Sequence, residues 1–249
     1  MSYKDHFSKQ SKQYAASRPS YPEELFSFLT EKSPGKELAW DVGTGNGQAA
    51  LSLAEYFERV IATDPSEEQI DKATPHPKVE YRVEAAEDAS LDDHSVDLIT
   101  VSTALHWFDF DAFYREVRRV AKPQAIIAAW TYHLPTIEPG IDRLAEQYMR
   151  EVLAGYWPDR FDYVDNHYET IPFPFEEIEP PQISMQSEWN LQQVLQFMDS
   201  WSATQQYKNQ NDDHPLDQVI EPLTEAWGDE ETQKTLVWPL AVKVGRVEA

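Results

Sequence analysis

Cysteine is absent from the 249-residue chain, which removes disulfides, thiolate nucleophiles and thiolate metal ligands from any account of it. Cations are scarce too: 21 Lys and Arg stand against 44 Asp and Glu, a formal charge of −23. Nucleic-acid binding draws most of its affinity from cations that neutralise phosphates, so neither a nucleic acid nor an anionic membrane is the expected partner. No apolar run reaches the eighteen residues of a membrane span, and Met1-Ser2-Tyr3-Lys4-Asp5-His6 lacks the basic-then-apolar order of a signal peptide. The seven histidines are scattered, with no HExxH, so no metal is expected. The expectation is a soluble, cytoplasmic protein, monomer or homodimer, whose partner is a small molecule.

Glycine is also sparse, eight in all, yet three fall within five residues. Residues 38–50, Leu-Ala-Trp-Asp-Val-Gly-Thr-Gly-Asn-Gly-Gln-Ala-Ala, read as strand, glycine turn and helix. Glycines so close together imply positive φ or a backbone that passes where a Cβ would collide.

Around this stretch, residues 3–20 read as an arm. A helix follows, capped at Ser20 or Tyr21 with Pro22 in its first turn, burying Leu25, Phe26, Phe28 and Leu29. Strands are predicted at 37–42, 59–63, 79–83, 97–102 and 125–132. Helices between them are predicted at 48–57, after Ser66, and after Asp109 or Asp111, with Pro123 marking the turn before the fifth strand. Strands alternating with helices argue for a parallel, doubly wound sheet.

Beyond residue 132 the pattern changes. Ile141, Leu144, Ala145, Tyr148, Met149, Val152 and Leu153 recur at helical spacing up to Gly155. Residues 156–181 hold seven aromatic rings among prolines and acids, too many for a linker, and read as a lid over something apolar. A strand at 183–189, a helix capped by Asn190, a helix opened by Pro215 and a long strand at 235–247 complete the chain. Pro239 marks that last strand as edge or bulge.

A glycine turn between strand and helix gathers backbone N–H groups around a ligand, most often a nucleotide. Asp64 lies 23 residues after Asp41, at the predicted carboxyl end of the second strand, where a carboxylate can accept from two ribose hydroxyls. A dinucleotide enzyme competes, since Gly45-Asn46-Gly47-Gln48-Ala49-Ala50 fits G-x-G-x-x-A. That register starts two residues late. It also leaves Asp41, a carboxylate before the glycines, facing a pyrophosphate of like charge. A cofactor with a cationic end suits Asp41 better.

Asp41-Val42-Gly43-Thr44-Gly45-Asn46-Gly47 resembles motif I, D/E-x-G-x-G-x-G, of the class I S-adenosylmethionine-dependent methyltransferases. Asp64 resembles the acid that follows it, and Ala86-Glu87-Asp88 the segment beside the adenine. Residues 14–22 (Tyr-Ala-Ala-Ser-Arg-Pro-Ser-Tyr-Pro), 104–109 (Ala-Leu-His-Trp-Phe-Asp) and 200–203 (Ser-Trp-Ser-Ala) are similar to segments of a narrower group, the trans-aconitate methyltransferase-like enzymes with a methyltransferase type 11 domain.

The resemblance implies a Rossmann-like, mostly parallel seven-stranded sheet with an antiparallel C-terminal strand and a helical, aromatic lid insertion. It implies one methyltransferase domain, 1–249, divided into arm and helix (1–34), donor-binding core (35–132), lid and acceptor insertion (133–181) and C-terminal strands and helices (182–249). S-adenosylmethionine would be the donor and S-adenosylhomocysteine the product. Tyr14, Arg18, Asp41, Gly43, Thr44, Gly45, Gly47, Asp64, Pro65, Ala86, Glu87 and Thr103 would hold the donor. Asp41 either favours the donor's positive charges or only bonds the turn, and Arg18 either pairs with the donor's carboxylate or is a surface residue.

His106 is the catalytic candidate, as base, as positioning group or as a structural histidine. Trp107, Trp130, His133, Trp157, Arg160 and Trp201 are the acceptor candidates, a small carboxylic acid being one acceptor that Arg160 or His133 could pair with. The competing activities are an NAD-dependent oxidoreductase and a non-catalytic protein that binds S-adenosylmethionine or S-adenosylhomocysteine.

Overall fold

The computed structural model describes residues 19–248. Its centre is a run of strands that are buried at β1, β4 and most of β2 and β5 and partly exposed at the edge strand β3: β1 (Leu38–Val42), β2 (Arg59–Asp64), β3 (Val79–Val83), β4 (Val96–Ser102) and β5 (Ala121–Tyr132). These pair in parallel in the order β3-β2-β1-β4-β5. Both faces of β1 and β4 are buried, as expected of strands that read as near-continuous apolar runs. The crossovers carry α1 (Glu23–Lys32), α2 (Gln48–Leu53), α3 (Glu67–Asp71) and α4 (Phe110–Val120).

On one face, Leu25, Phe26 and Leu29 of α1 and Ala50 and Leu53 of α2 pack against Ala39, Val60, Leu98, Ile126 and Trp130. On the other, Trp40 meets Phe113 of α4 at 6.2 Å. The sheet then turns antiparallel through β8 (Lys234–Arg246), whose residues 240–246 pair with β5, and ends at the two-residue β6 (Glu176–Glu177). Seven strands lie on this path, and β7 (Ser184–Trp189) joins β8 as an eighth.

The chain divides into two compact units. One comprises Tyr21–Tyr132, Asp162–Ile183 and residues 240–248, and holds the parallel sheet with α1 to α4. The other comprises His133–Phe161 and Ser184–Pro239. It contains α5 (Pro139–Gln147), α7 (Leu191–Asp199), α8 (Ser202–Gln210) and α9 (Ile220–Trp227), with β7 paired to residues 234–239; α6 (Phe161–Asp165) begins where this unit gives way to the other. Asn190 and Gln193 form the reciprocal capping box that opens α7.

Several local expectations are corrected. The first helix is opened by Pro22, with no side-chain cap from Ser20 or Tyr21, and its Phe28 is only partly buried. The second ends at Leu53 and continues to Phe57 as turns. β5 begins four residues early, at Ala121, and takes Pro123 in where its register with β4 shifts, so the missing N–H breaks no ladder bond there. The helix predicted from Ile141 onward passes after Gln147 into a π-turn, Tyr148–Val152. That turn brings Tyr148 and Met149 inward, and the Tyr148 hydroxyl lies 2.9 Å from Thr204 Oγ1. Pro215 opens a 3₁₀ turn before α9, and Pro239 sits where β8 changes partners. No helix among the described residues is long and apolar enough to cross a membrane.

At the amino end of β4, Asp97 is buried. One of its oxygens accepts from the backbone N–H groups of Glu37 and Leu38, 3.0 Å each, and Lys122 Nζ stands 2.9 Å from the other. Asp97→Ala leaves two amides without their acceptor and takes one of two carboxylates from Lys122, which keeps Glu37, and the expected cost is about 3 kcal/mol. Urea unfolding followed by tryptophan fluorescence measures it; a loss below about 1 kcal/mol would show the carboxylate to be dispensable.

Candidate functional site

At the opposite, carboxyl ends of the parallel strands β1 gives way to the glycine turn. Gly43, Gly45 and Gly47 all have positive φ, at 65°, 57° and 88°. Beyond that shared backbone, two of them differ from the third in what a side chain would meet. A Cβ on Gly43 would stand 2.6 Å from that of Ala104, and one on Gly47 would press into the Tyr81 ring. A Cβ on Gly45 would meet nothing within 4 Å among the described residues. Gly45 therefore faces space that a ligand can fill, while the other two fit the turn against its neighbours.

Two carboxylates strap this turn. Asp41, fully buried, accepts from Thr44 Oγ1 at 2.5 Å and from Thr100 Oγ1 at 2.7 Å. Thr100 lies beside Asp41 in the β1–β4 register, so the strand pairing itself supplies the second hydroxyl. Burial pushes the Asp41 carboxyl up to about 6, against the pull of these two hydrogen bonds and with a small push from the Asp64 charge. Asp64, at the end of β2, accepts from Gly45 N–H and from Ser66 N–H, 2.9 Å each. Each oxygen keeps a lone pair for a further donor.

The neighbouring loops carry the other donor candidates. Pro65 is exposed beside Asp64; Ala86 is buried; Glu87 is half-buried and accepts from Asp109 N–H at 3.0 Å. The loop of residues 86–93 is clamped from α4, where Glu116 accepts from Ala89 N–H at 2.9 Å and Arg119 donates to the carbonyls of Ala89 and Leu91. Thr103, directly after β4, has φ of 53° and a buried hydroxyl without a partner among the described residues. A β-branched residue in that region is an outlier of the kind found at functional sites. Tyr14 and Arg18 lie outside the described residues.

Next comes the short 3₁₀ turn Leu105–Trp107. His106 in it is buried, its Nδ1 2.9 Å from the Tyr168 hydroxyl, whereas Trp107 is 54% exposed. Trp130 is wholly buried, edge-on to Tyr21 and Phe26, and belongs to the core. Within the other unit, Trp157 stacks on Phe161 at 3.9 Å, Trp201 lies 6.0 Å from Trp157, and His133 lies 6.5 Å from Phe161. The structure thus brings Trp157 and His133 to Phe161, with Trp201 beside Trp157. Arg160, exposed with φ of 71°, directly precedes that ring.

Thr100, Tyr168, Glu116 and Arg119 were not among the residues singled out by sequence. Thr100 is one hydroxyl in an apolar strand and Tyr168 one ring among seven; only pairing at long range gives either a role. No group of three His, Asp or Glu side chains among the described residues is placed to hold a metal ion.

Known proteins share these features. A family model described as a methyltransferase domain, of type 11, matches residues 40–129. A candidate methyltransferase of Dictyostelium discoideum is 34% identical over 229 residues, 90% of this chain and 87% of its own length. A Saccharomyces cerevisiae protein described as a candidate S-adenosylmethionine-dependent methyltransferase is 29% identical over 136 residues, 51% of this chain and 46% of its own. The solved structure of a candidate type II methyltransferase from Anaeromyxobacter dehalogenans superposes with a TM-score of 0.87 at 41% identity, covering 93% of this chain and 98% of that one. Likeness of that extent, on a parallel sheet whose glycine turn is strapped by two carboxylates, settles the family: the chain belongs to the class I S-adenosylmethionine-dependent methyltransferases.

Proposed function

We propose that the chain binds S-adenosylmethionine against the turn of residues 43–47 and transfers its methyl group to a small-molecule acceptor, a small carboxylic acid being the acceptor class favoured. The observation that carries the donor site is Gly45: its Cα faces space that no described residue fills while its N–H is held by Asp64, so the turn is shaped and fixed with one side left for a ligand.

In this reading Gly43, Thr44, Gly45 and Gly47 form the wall along the methionine portion. Asp64 holds the ribose hydroxyls through its remaining lone pairs, and Pro65, Ala86 and Glu87 border the adenine. Thr103 offers its hydroxyl, and Tyr14 and Arg18 close over the donor, Arg18 on its carboxylate. Asp41 has a double part: it ties β1 to the turn and to β4, and, ionised, it favours the cationic end of the donor. Bound there, S-adenosylmethionine supplies a sulfonium methyl, which an acceptor nucleophile takes in line as the carbon–sulfur bond breaks and S-adenosylhomocysteine is left. The protein's contribution is alignment and exclusion of water, effects that together lower barriers by roughly 7 to 11 kcal/mol.

His106 is proposed as the catalytic side chain that meets the acceptor. Trp107, His133, Trp157, Arg160 and Trp201 are proposed for acceptor recognition, with Arg160 or His133 as the cation for a carboxylate. Trp130 is set aside because no part of its ring is exposed. Residues 1–249 would serve one methyltransferase activity, residues 133–181 acting in acceptor recognition.

Calorimetric titration with S-adenosylmethionine tests the donor site: saturable binding is expected, and none at millimolar donor overturns it. Asp64→Ala should weaken that binding by about 1.5 to 3 kcal/mol, the scale of a lost charged hydrogen-bond partner. Gly45→Ala should lose donor affinity with a stability cost of only about 1 to 2 kcal/mol for the left-handed backbone. Gly47→Ala, which drives a Cβ into Tyr81, should lose stability first; equal behaviour of the two would disprove the distinction.

Asp41 also predicts a pH dependence. Its carboxyl is ionised above about 6 and attracts a cation; as the pH falls through that value it takes up a proton and the attraction is lost. Affinity for S-adenosylmethionine should therefore drop from about a unit above to about a unit below, more than affinity for S-adenosylhomocysteine, which lacks the sulfonium charge. Asp41→Asn should flatten the difference.

A further inference from the structure

Tyr168 is fully buried, with φ of 60°, directly after His167 at 52°. Two successive residues in the left-handed region are costly for side chains of this bulk. What the backbone obtains is a phenol beside the turn that carries His106: its hydroxyl is 2.9 Å from His106 Nδ1, with the rings 6.0 Å apart. The direction of that hydrogen bond decides what His106 can do.

A neutral phenol has one proton to give, and burial pushes Tyr168 well above its ordinary range, so the proton is present at every working pH. Two of the other groups around its oxygen can only donate. The backbone N–H groups of Leu105 and His106 open the 3₁₀ turn, where no carbonyl within the turn can receive them, and they approach the phenol oxygen. The Thr131 hydroxyl also stands near enough to favour the phenolate, although it falls short of full hydrogen-bond geometry. With donors on the oxygen side, the imidazole lone pair at Nδ1 is the acceptor within reach of the O–H.

We propose that Tyr168 is a positioning residue: its hydroxyl donates to His106 Nδ1 and so keeps the imidazole proton on Nε2, making His106 a hydrogen-bond donor to an acceptor's oxygen and not its base. This rests on the reading above that His106 meets the acceptor. It narrows the acceptor class to molecules that bring an oxygen already anionic at neutral pH, a carboxylate or an acidic phenol. Such an oxygen attacks the sulfonium methyl with no proton to remove. An N–H at its side holds it in line, whereas an amine or alcohol would need the lone pair that Tyr168 occupies.

The test reads the tautomer directly. In full-length protein with ¹⁵N-labelled histidine, the ring nitrogens of a neutral imidazole resonate in well-separated ranges according to which carries the proton. His106 is assigned by the signals lost in His106→Gln. At a pH where His106 is neutral, Nδ1 is expected in the unprotonated range and Nε2 in the protonated one. In Tyr168→Phe the two resonances should move towards each other as the tautomers begin to exchange. A protonated Nδ1 in the wild type would overturn the proposal whatever the variant does, so it stays testable even if Tyr168→Phe does not fold. An unchanged pair of resonances in a folded Tyr168→Phe would also overturn it. Titration of the same sample with S-adenosylmethionine separates this outcome from failure of the donor site, because the tautomer is read without methyl transfer.

Discussion

The strand pairing of β1 with β4 places a buried carboxylate beside a hydroxyl, and much else at this end of the sheet follows from it. Asp41 cannot stay ionised in an apolar sheet without donors. Thr100 supplies one from the neighbouring strand and Thr44 the other from the turn, so the carboxylate welds the turn to two strands at once. Even so, burial holds it near 6, which leaves a group poised to respond to a cation. A turn with three left-handed residues would be mobile on its own. Held by Asp41 from beneath and by Asp64 from the side, it becomes a fixed surface, with Gly45 open outward.

The two ends of the parallel sheet divide the work. At the amino end Asp97 gathers two amides and Lys122 into a closed set, every partner belonging to the fold. At the carboxyl end the polar groups are left partly open: Asp64 with spare lone pairs, Thr103 with a buried hydroxyl and no partner among the described residues, Trp107 largely exposed. Open α/β sheets bind ligands in the crevice outside their carboxyl ends, at the point where the strand order reverses. The Glu116–Arg119 clamp shows how one such loop is made rigid, its carbonyls and amide held by a helix that packs elsewhere.

Much of this was readable along the chain. The strands at 79–83, 97–102 and 183–189 matched the structure within a residue, since buried strands announce themselves by composition and alternation. The Asn190 cap and the Asp109 cap were legible because each acts on residues three positions away. Misreadings arose where tertiary packing overrode local signals. Pro123 looks like a turn but lies in β5, because β4 shifts register there. The π-turn after Gln147 is invisible to a helical repeat, because one added residue in a turn leaves the apolar spacing almost unchanged while rotating Tyr148 inward.

What sequence alone determined is the glycine turn, the acid after the second strand and the alternation of strands with helices: these lie within one continuous stretch, and short-range geometry dictates where glycine must stand. What only the tertiary structure decided is which groups act on one another. Thr100 reaches Asp41 across 59 positions and Tyr168 reaches His106 across 62. Neither neighbour carries a local signal, because a hydroxyl in a strand or a ring in an aromatic stretch gains its meaning only when the chain brings a lone pair to it.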